Sequence, residues 1–389
     1  PRLPLTRKED LRAHYPFGLF AVEAQQARRL HASSGTTGKP TVVGYTEQDL
    51  NIFAEVNARS LVAAGARTGM RLQNAYGYGL FTGGLGLHAG AERLGMGVIP
   101  ASGGMTDRQL LILQDFQPEV LCCTPSYAQT LAEKLRQRSI PTDQLRLRYA
   151  VLGAEPWTET IRAQVEEGLG VQATNIYGLS EVIGPGVSQE PLEEKGAGSH
   201  IWEDHFFPEV VDPDTGEPLP EGQDGVLVFT TLTKEALPLL RYWTGDICSL
   251  YYDTDARRTH IKMSPIRGRA DDMLIIRGIN LFHTQVEAVI YQVPHLEPYY
   301  QLIVSRDGTL DEVEVQVEVA EGFLREVGYQ EINETHILEN ERLLRLQEQL
   351  RRRLKENIGL SMRVLLKAPH TIPRSEGGKL KRIVDLRSF

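Results

Sequence analysis

Cysteine is scarce in this chain of 389 residues, which contains Cys122, Cys123 and Cys248 and no others. Two of them are adjacent and none forms a C-x-x-C pair, so we expect neither a disulfide framework nor a thiolate zinc site. No apolar run approaches the roughly 20 residues that span a bilayer, and no signal-peptide pattern opens the chain. We therefore expect a soluble cytoplasmic protein with no membrane partner. Because the chain begins with Pro1, we also expect that the natural N-terminus lies further upstream.

An excess of basic charge is also missing. The net charge is −9 and the isoelectric point is about 5.7, which argues against a nucleic-acid partner. The basic run at 351–355 lies among glutamates, as on the solvated face of a helix. What the chain does have is 41% hydrophobic residues and enough length for two or more domains. A homodimer is left open.

Strand and helix signals alternate between residues 46 and 177. Thr46 and Asp49 form a capping pair before a helix that runs to about residue 64, and Thr106 is expected to cap another. Apolar runs at 120–123, 147–153 and 171–177 predict strands separated by helices. This order indicates an α/β large domain with mostly parallel sheets covered by helices, which bind ligands beyond the carboxyl ends of their strands.

The composition of the sequence changes near RGRADD at 267–272. This charged stretch lies between apolar segments and predicts a hinge. Beyond it the order βαββαβ, with a long helix over about 334–356, predicts a small α+β domain. We therefore place a large domain at residues 1–270 and a small mobile domain at 271–389.

HASSGTTGKP, at 31–40, contains the hydroxyls, glycines and lysine that hold phosphate. It is not a Walker A loop, because that pattern requires glycine at Ser33 and a hydroxyl residue at Pro40, and it opens a helix. A β-branched run follows instead. Taken alone, this stretch is compatible with two interpretations: a loop that binds phosphate and a plain glycine-rich turn.

A second glycine-rich stretch, YGYGLFTGGLG at 76–86, departs from the dinucleotide-binding fingerprint, and we expect no strand immediately before it. Its aromatics Tyr76, Tyr78 and Phe81 suit a flat apolar ligand slot or plain core. His200, Glu203 and His205 resemble a metal cluster, but alternation along a strand or a structural carboxylate network explains them more simply.

Four more stretches place polar groups at ends of strands or in turns: GAEP (153–156), YGLSE (177–181), RYWTGD (241–246) and PRSEGGKLKR (373–382). In this order, together with SSGTTGKP, they resemble the adenylate-forming superfamily of acyl-CoA synthetases and adenylation domains. The resemblance extends over nearly the whole chain. It is closest to the members that join an aryl acid, phenylacetate above all, to coenzyme A.

The resemblance implies a site, with ATP, Mg²⁺ and coenzyme A as cofactors or co-substrates. The residues implied to bind ATP or AMP are Ser33, Ser34, Gly35, Thr36, Thr37, Gly38 and Lys39 at the pyrophosphate, Ala154, Glu155, Pro156, Asn175, Ile176, Tyr177, Gly178, Leu179 and Ser180 around adenine, and Asp246 and Arg269 at the ribose. The acid pocket is expected to contain Tyr76, Phe81, Gly153 and Ile176. Lys379 is the implied catalytic lysine with Lys381 as the fallback, Glu181 the catalytic Mg²⁺ ligand, and Asp271 the hinge. Arg277, Gly278, Ile279 and Asn280 are expected beside coenzyme A.

The implied activity is a ligase that forms an acyl-adenylate and then an acyl-CoA thioester. One alternative is an adenylation enzyme that loads a carrier protein. A second alternative, which is not an enzyme, is a nucleotide-binding regulator. Two positions depart from the family pattern: Trp243 stands where arginine is usual and His283 where proline is usual. An extra glycine also precedes Lys379.

Overall fold

A computed structural model of the chain describes residues 3–33, 40–253, 257–270, 274–276, 279–307, 310–374 and 382–386. These residues divide into two compact units. The large unit comprises residues 3–156 and 162–270, and the small unit comprises residues 157–161, 274–374 and 382–386. Among the described residues, none of the helices has the length and apolar character needed to cross a membrane.

Six helices and fifteen strands precede residue 270 in the described part of the chain. The helices are α1 (Lys8–Ala13), α2 (Glu47–Ala63), α3 (Gly83–Arg93), α4 (Thr106–Asp115), α5 (Pro125–Gln137) and α6 (Glu159–Leu169). The strands are β1 (Arg29–Ser33), β2 (Thr41–Tyr45), β3 (Arg71–Asn74), β4 (Gly97–Ile99), β5 (Val120–Cys123), β6 (Tyr149–Gly153), β7 (Gln172–Leu179), β8 (Gly184–Gln189), β9 (Ser199–Ile201), β10 (Phe206–Val211), β11 (Gly225–Thr231), β12 (Tyr242–Cys248), β13 (Leu250–Tyr251), β14 (Lys262–Met263) and β15 (Gly268–Arg269).

A nine-stranded sheet forms the centre of the large unit, in the order β13-β14-β9-β8-β7-β6-β5-β3-β4. Its strands β4, β3, β5, β6 and β7 are parallel, and α3 to α6 make the crossovers between them. This confirms the α/β class. The remaining strands of the sheet are antiparallel, as are the four-stranded sheet β10-β11-β12-β15 and the hairpin β1-β2.

Local capping chemistry explains where two helices of the large unit begin. Thr46 Oγ1 accepts the backbone N–H of Asp49 while the Asp49 carboxylate accepts that of Thr46, the reciprocal pair that the sequence indicated. Thr124 Oγ1 caps α5 by accepting the backbone N–H of Tyr127, and Pro125 occupies the first helical position, where its missing N–H costs nothing. The helix over 106–115 differs from expectation: its cap is Met105, in a left-handed conformation, and Thr106 is already helical.

The glycine-rich stretch at 76–86 also corrects an expectation. Strand β3 ends at Asn74, two residues before Tyr76, and α3 begins at Gly83, so a strand does precede this loop. The parallel arrangement places the loop at the same sheet edge as the segments after β5 and β6.

The small unit is an α+β body. Its strands are β16 (Leu274–Ile276), β17 (Ile279–Leu281), β18 (Leu296–Asp307), β19 (Leu310–Val319), β20 (Arg363–Lys367) and β21 (Ile383–Asp385), and its helices are α7 (His283–Ile290), α8 (Glu321–Glu326), α9 (Glu334–Glu339) and α10 (Glu341–Ile358). The main sheet has the order β20-β19-β18-β21, and β16 and β17 form a hairpin.

The long helix expected over 334–356 is two helices. Asn340 separates them because its side-chain oxygen accepts the backbone N–H groups of Arg342 and Leu343 and caps α10. Within α10 the buried residues are Leu343, Leu346, Leu350 and Leu354, spaced as one helical face, and they belong to the core of this unit.

Candidate functional site

The candidate site residues of the large unit follow the carboxyl ends of neighbouring parallel strands. Tyr76 follows β3, Ser126 follows β5, and Ala154 follows β6 directly, while residues 175–179 form the end of β7. Because parallel strands present their carboxyl ends at one edge, the fold brings these segments together. That edge is where open α/β sheets bind ligands.

Ala154 and Glu155 make a turn with a specific backbone conformation. Ala154 has φ of 70°, in the left-handed region that side chains other than glycine rarely adopt. The Glu155 carboxylate accepts the backbone N–H of Ser126 at 3.2 Å and its hydroxyl at 3.0 Å. It thereby satisfies a donor at the positive end of α5, which holds the turn in place.

Close strand contacts explain two glycines of the predicted site. Gly153 is paired with Ile176, and a Cβ at Gly153 would lie 2.2 Å from the Ile176 carbonyl oxygen. A Cβ at Gly178 would lie 1.9 Å from the carbonyl oxygen of Gly184 on β8. Both positions therefore require glycine because a neighbouring backbone passes too close for any side chain.

Asp246 binds two side chains of the predicted set. The Tyr177 hydroxyl donates to Asp246 Oδ2 at 2.6 Å, and Arg269 Nη1 donates to Oδ1 at 3.1 Å. Asp246 and Arg269 are register partners on β12 and β15, while Tyr177 comes from β7 in the other sheet. Burial raises the pKa of Tyr177 well above its ordinary value, and the neighbouring Asp246 charge raises it further. Tyr177 therefore remains a hydrogen-bond donor throughout the physiological range.

Glu181 is 5% exposed, and Lys8 Nζ lies 3.4 Å from its Oε1. Next to it in sequence, the Ser180 hydroxyl shares a 3.1 Å hydrogen bond with that of Thr82. No group of three or more potential metal ligands occurs among the described residues. A single buried carboxylate is nevertheless sufficient for Mg²⁺ where substrate phosphates and water supply the other ligands, so Glu181 fits that ion.

The four residues expected in the acid pocket are not equally buried. Tyr76 and Ile176 are 8% and 3% exposed, and Gly153 is buried beside Ile176, whereas the Phe81 side chain is 51% exposed. Gly83 faces the Tyr76 ring, since a Cβ there would lie 3.6 Å from it. Three of the four residues therefore line the interior at the sheet edge, and Phe81 lies on an exposed part of the loop.

Strands β1 and β2 carry the expected phosphate loop between them, with Ser33 opposite Thr41 in the register. Ser34, Gly35, Thr36, Thr37, Gly38 and Lys39 lie outside the described residues, as do Asp271, Arg277, Gly278, Lys379 and Lys381. Ile279 and Asn280 are described only through the backbone of β17. The hairpin confirms that this stretch is not the strand-to-helix loop of a Walker A motif.

Two buried basic side chains, one on this hairpin and one beside it, were not predicted. Lys234 Nζ lies 3.8 Å from the centroid of the Tyr45 ring, and His31 meets the same ring edge-on at 5.4 Å. His31 Nδ1 also lies 3.0 Å from the Leu80 carbonyl oxygen. Burial lowers the pKa of Lys234 to about 8 and lowers that of His31. For His31 the signal was a polar residue at an inward-facing strand position; the sequence offered no comparable signal for Lys234.

A buried ion pair supports the start of the segment at 175–180. Arg162 binds Glu190 through two hydrogen bonds of 2.8 Å, with side chains only 9% and 3% exposed. Glu190 also accepts the backbone N–H groups of Asn175 and Gly196 at 2.8 and 2.6 Å. The carboxylate therefore fixes the backbone at Asn175, two residues before Tyr177.

The three residues that resembled a metal cluster have other partners. His200 Nδ1 lies 2.8 Å from the His260 carbonyl oxygen, Glu203 accepts the N–H of Ile261 at 2.6 Å, and His205 Nδ1 lies 2.8 Å from the Thr233 hydroxyl. Only His200 lies on a strand, β9, so alternation along a strand is wrong, whereas the contact of Glu203 is that of a structural carboxylate.

The two departures from the family pattern have local explanations. Trp243 lies under the Arg7 guanidinium, with 4.3 Å between Cζ and the ring centroid, so an arginine does reach this position, from the residue that precedes α1. His283 is the first residue of α7, a position where proline is common, and its Nδ1 lies 3.0 Å from the Tyr300 hydroxyl. Burial lowers the pKa of His283 to about 4, which keeps the ring neutral.

Comparison with known proteins defines the class to which this arrangement belongs. Residues 28–232 match the sequence model of the AMP-binding enzyme family, and residues 278–387 match that of the AMP-binding enzyme C-terminal domain. The fold agrees: a solved 2-hydroxyisobutyryl-CoA ligase in the postadenylation state is 27% identical, with a TM-score of 0.89 over 99% of this chain and 80% of that chain.

Curated relatives narrow the class further. A phenylacetate–coenzyme A ligase of Thermus thermophilus is 65% identical over 388 residues, covering 100% of this chain and 87% of the relative. Another from Escherichia coli K12 is 50% identical over 389 residues, covering 100% and 85%. The chain belongs to the phenylacetate–coenzyme A ligase family of AMP-binding enzymes.

Proposed function

We propose that this protein activates an aryl carboxylic acid, with phenylacetate as the first candidate, and transfers the acyl group to coenzyme A. The observation that carries the proposal is the Asp246 carboxylate held between Tyr177 and Arg269 at the carboxyl edge of the sheet. A fixed carboxylate beside an aromatic ring suits the ribose and base of a nucleotide. The relatives' names supply the acid and the thiol.

The first half-reaction forms an acyl-adenylate. A carboxylate oxygen of the acid attacks the α-phosphorus of ATP, a bond from that oxygen to phosphorus forms, and the bond to the bridging oxygen of pyrophosphate breaks. No side-chain nucleophile takes part, so the protein contributes positioning and charge stabilisation. We assign the departing pyrophosphate to residues 33–39 and the negative charge at the α-phosphate to Lys379 and Arg269.

The second half-reaction forms the thioester. The sulfur of coenzyme A attacks the acyl carbon, the bond from that carbon to the phosphate oxygen breaks, and AMP leaves while the thiol proton passes to solvent. We assign coenzyme A to the side of residues 277–280. We also assign ATP and acid binding to residues 1–270, the lysine to residues 271–389, and the hinge to Asp271.

Mg²⁺ is proposed at Glu181, whose buried carboxylate fits a hard cation shared with phosphate oxygens. When bound, the ion neutralises phosphate charge. Lys8 lies 3.4 Å from this carboxylate and balances its charge in the folded chain. Ala154, Glu155 and Pro156 are proposed on one side of adenine, with Tyr177 on the other.

The aryl ring of the acid is proposed to lie among Tyr76, Phe81, Gly153 and Ile176. The buried Tyr76 ring supplies an apolar wall for a flat aryl ring at the carboxyl ends of the strands. Cytoplasmic location and a homodimer remain predictions from the sequence.

The direct test is AMP release from ATP with phenylacetate, measured with and without coenzyme A. We expect release that requires both the acid and the thiol, and no turnover across a panel of aryl acids would refute the proposal. The panel should include benzoate and hydroxyphenylacetates as competing acids. A phosphopantetheinyl carrier protein tested beside coenzyme A decides the alternative, since equal or faster transfer to it would identify a carrier-loading enzyme.

A further inference from the structure

Two buried glutamates hold arginines at the two ends of segment 375–381, which carries Lys379. Arg374 precedes the segment and is paired with Glu318; Arg382 follows it and is paired with Glu287. We call Arg374–Glu318 and Arg382–Glu287 the anchor pairs. All four residues belong to the small unit.

The first anchor pair combines two kinds of contact. Arg374 Nη1 and Nη2 donate to the two carboxylate oxygens of Glu318 at 2.7 and 2.8 Å, the fork geometry that only arginine offers. Glu318 is fully buried on β19 and also accepts the backbone N–H groups of His370 and Ile372 at 3.0 and 2.7 Å. The chain between β20 and Arg374 is therefore wrapped around one carboxylate.

The second anchor pair holds the returning chain. Arg382 Nη2 lies 3.6 Å from Glu287 Oε1, and its Nη1 donates to the carbonyl oxygens of Pro298 and Tyr300 at 3.2 and 3.3 Å. The Arg382 carbonyl accepts the N–H of Leu302 at 2.8 Å, where β21 joins β18. The Arg382 and Glu287 side chains are 10% and 3% exposed.

Consecutive tyrosines of β18 lie beneath the two guanidinium groups. Arg374 Cζ is 3.2 Å from the centroid of the Tyr299 ring, and Arg382 Cζ is 4.4 Å from that of Tyr300. A guanidinium over an aromatic face gains electrostatic attraction and is restricted in orientation. Each anchor arginine is thus fixed by a carboxylate and by a ring.

Buried ion pairs of this kind contribute little net free energy to the stability of a fold. Removing two charges from water costs free energy that their attraction roughly balances, and apolar residues of similar volume often stabilise a fold equally well. What a bidentate pair adds is a fixed position. Arg374 has such a pair with Glu318, and Arg382 is fixed by Glu287 together with two carbonyl oxygens. Fixed arginines at both ends of one short segment indicate a requirement for accurate placement of what lies between them.

We propose that Arg374 and Arg382, held by Glu318 and Glu287, are positioning residues that set the placement of Lys379 for acyl-adenylate formation. Lys379 precedes Arg382 by three positions, and a chain of that length spans at most about 11 Å. The inference rests on the proposed role of Lys379. It adds that the reach of the lysine is determined by the sheet β18–β19.

Charge-conserving variants test the proposal with the full chain. Arg374→Lys and Arg382→Lys retain the charge but lose the fork, and we expect each to reduce kcat for pyrophosphate exchange with phenylacetate by about 10- to 100-fold, the effect of a displacement near 1 Å. KM for ATP is expected to stay within about threefold. Thioester formation from preformed acyl-AMP is expected to stay within about twofold, because that step does not use Lys379. A stability defect alone would reduce both half-reactions together.

The matched control is Arg342→Lys, which alters an exposed pair with Glu326 on the same unit, 52% and 60% exposed, and is expected to leave both half-reactions unchanged. Folded variants with normal adenylation, or with equal loss in both half-reactions, would overturn the proposal. If Arg374→Lys does not fold, Arg382→Lys and Glu287→Gln decide the outcome by the same criteria.

Lys379→Ala in the same assays separates this inference from the proposed function. Loss of adenylation only, together with the same loss in the anchor variants, supports both. Loss of adenylation in Lys379→Ala with normal anchor variants overturns the inference and leaves the function standing. Normal adenylation in Lys379→Ala overturns the assigned role of the lysine, and with it the inference.

Discussion

The Tyr177 hydroxyl donates a 2.6 Å hydrogen bond to Asp246 and so connects the nine-stranded sheet to the antiparallel sheet of the large unit. The same carboxylate is the proposed acceptor for the ribose hydroxyls. The tyrosine ring and the aspartate charge should therefore contribute separately to nucleotide binding, and side-chain substitutions can distinguish them.

Asp246→Ala is expected to raise the Kd for AMP by about 10- to 100-fold, the value of hydrogen bonds to a charged group. Tyr177→Phe keeps the ring and loses only the hydroxyl, so a change below about fivefold is expected. Titration of AMP binding by calorimetry measures both. Equal losses in the two variants would show that the hydrogen bond, and not the ring, is what Tyr177 contributes.

Gly153→Ala is expected to destabilise the large unit by about 1–3 kcal/mol, because the new Cβ would lie 2.2 Å from the Ile176 carbonyl oxygen. Gly77→Ala is the matched control, since a Cβ at that position would have no atom within 4 Å beyond its neighbours in the chain. Urea unfolding compares the two. A neutral Gly153→Ala would mean that β6 and β7 separate easily at this edge.

Lys234→Met is expected to stabilise the protein at pH 7 by up to about 3 kcal/mol. Burial lowers the pKa of Lys234 from 10.5 to about 8, so between these values the unfolded state binds more protons than the folded state. The cost of the buried charge is complete below pH 8 and is relieved as the pH rises toward 10.5.

The gain from Lys234→Met should therefore shrink between pH 7.5 and roughly 10, measured by denaturant unfolding at each pH. A gain that is constant with pH would mean that the ammonium is not penalised by burial. The variant Lys134→Met serves as the control, because Lys134 lies on α5 with its ammonium bound to Gln137 at an exposed position.

Glu190→Gln is expected to cost about 3–5 kcal/mol, because it leaves the buried Arg162 charge without its carboxylate. The double variant Arg162→Met/Glu190→Gln should recover part of that loss. Thermal unfolding of the two single variants and the double variant gives the coupling energy. Additive effects would show that the pair does not act as a unit.

The sequence predicted features that depend on local signals. Caps and buried apolar runs leave a local pattern in the sequence. For this reason we could predict the reciprocal cap at Thr46 and Asp49 and the parallel strands at 120–123 and 149–153. The antiparallel sheet β10-β11-β12-β15 was not predicted, since polar residues and a glycine interrupt the apolar pattern of strands such as β12, and β15 has only two residues.

Other differences have equally specific causes. The amphipathic pattern over 334–356 concealed the break at Asn340, although asparagine before an apolar run is a capping signal. The ring contact of Lys234 could not be predicted, because a lysine is expected at the surface and only the tertiary structure places it against Tyr45. Both cases depend on which side chains the fold brings together.

The pairing of Ser33 with Thr41 has an evolutionary consequence. In an antiparallel hairpin the register depends on which side chains are buried, here including His31 opposite Val43, and on the length of the connection. An insertion between Ser33 and Thr41 that shifted β2 by one residue would move its buried side chains to the other face of the hairpin. Descendants of this gene are therefore expected to keep the length of this connection even where its residues change.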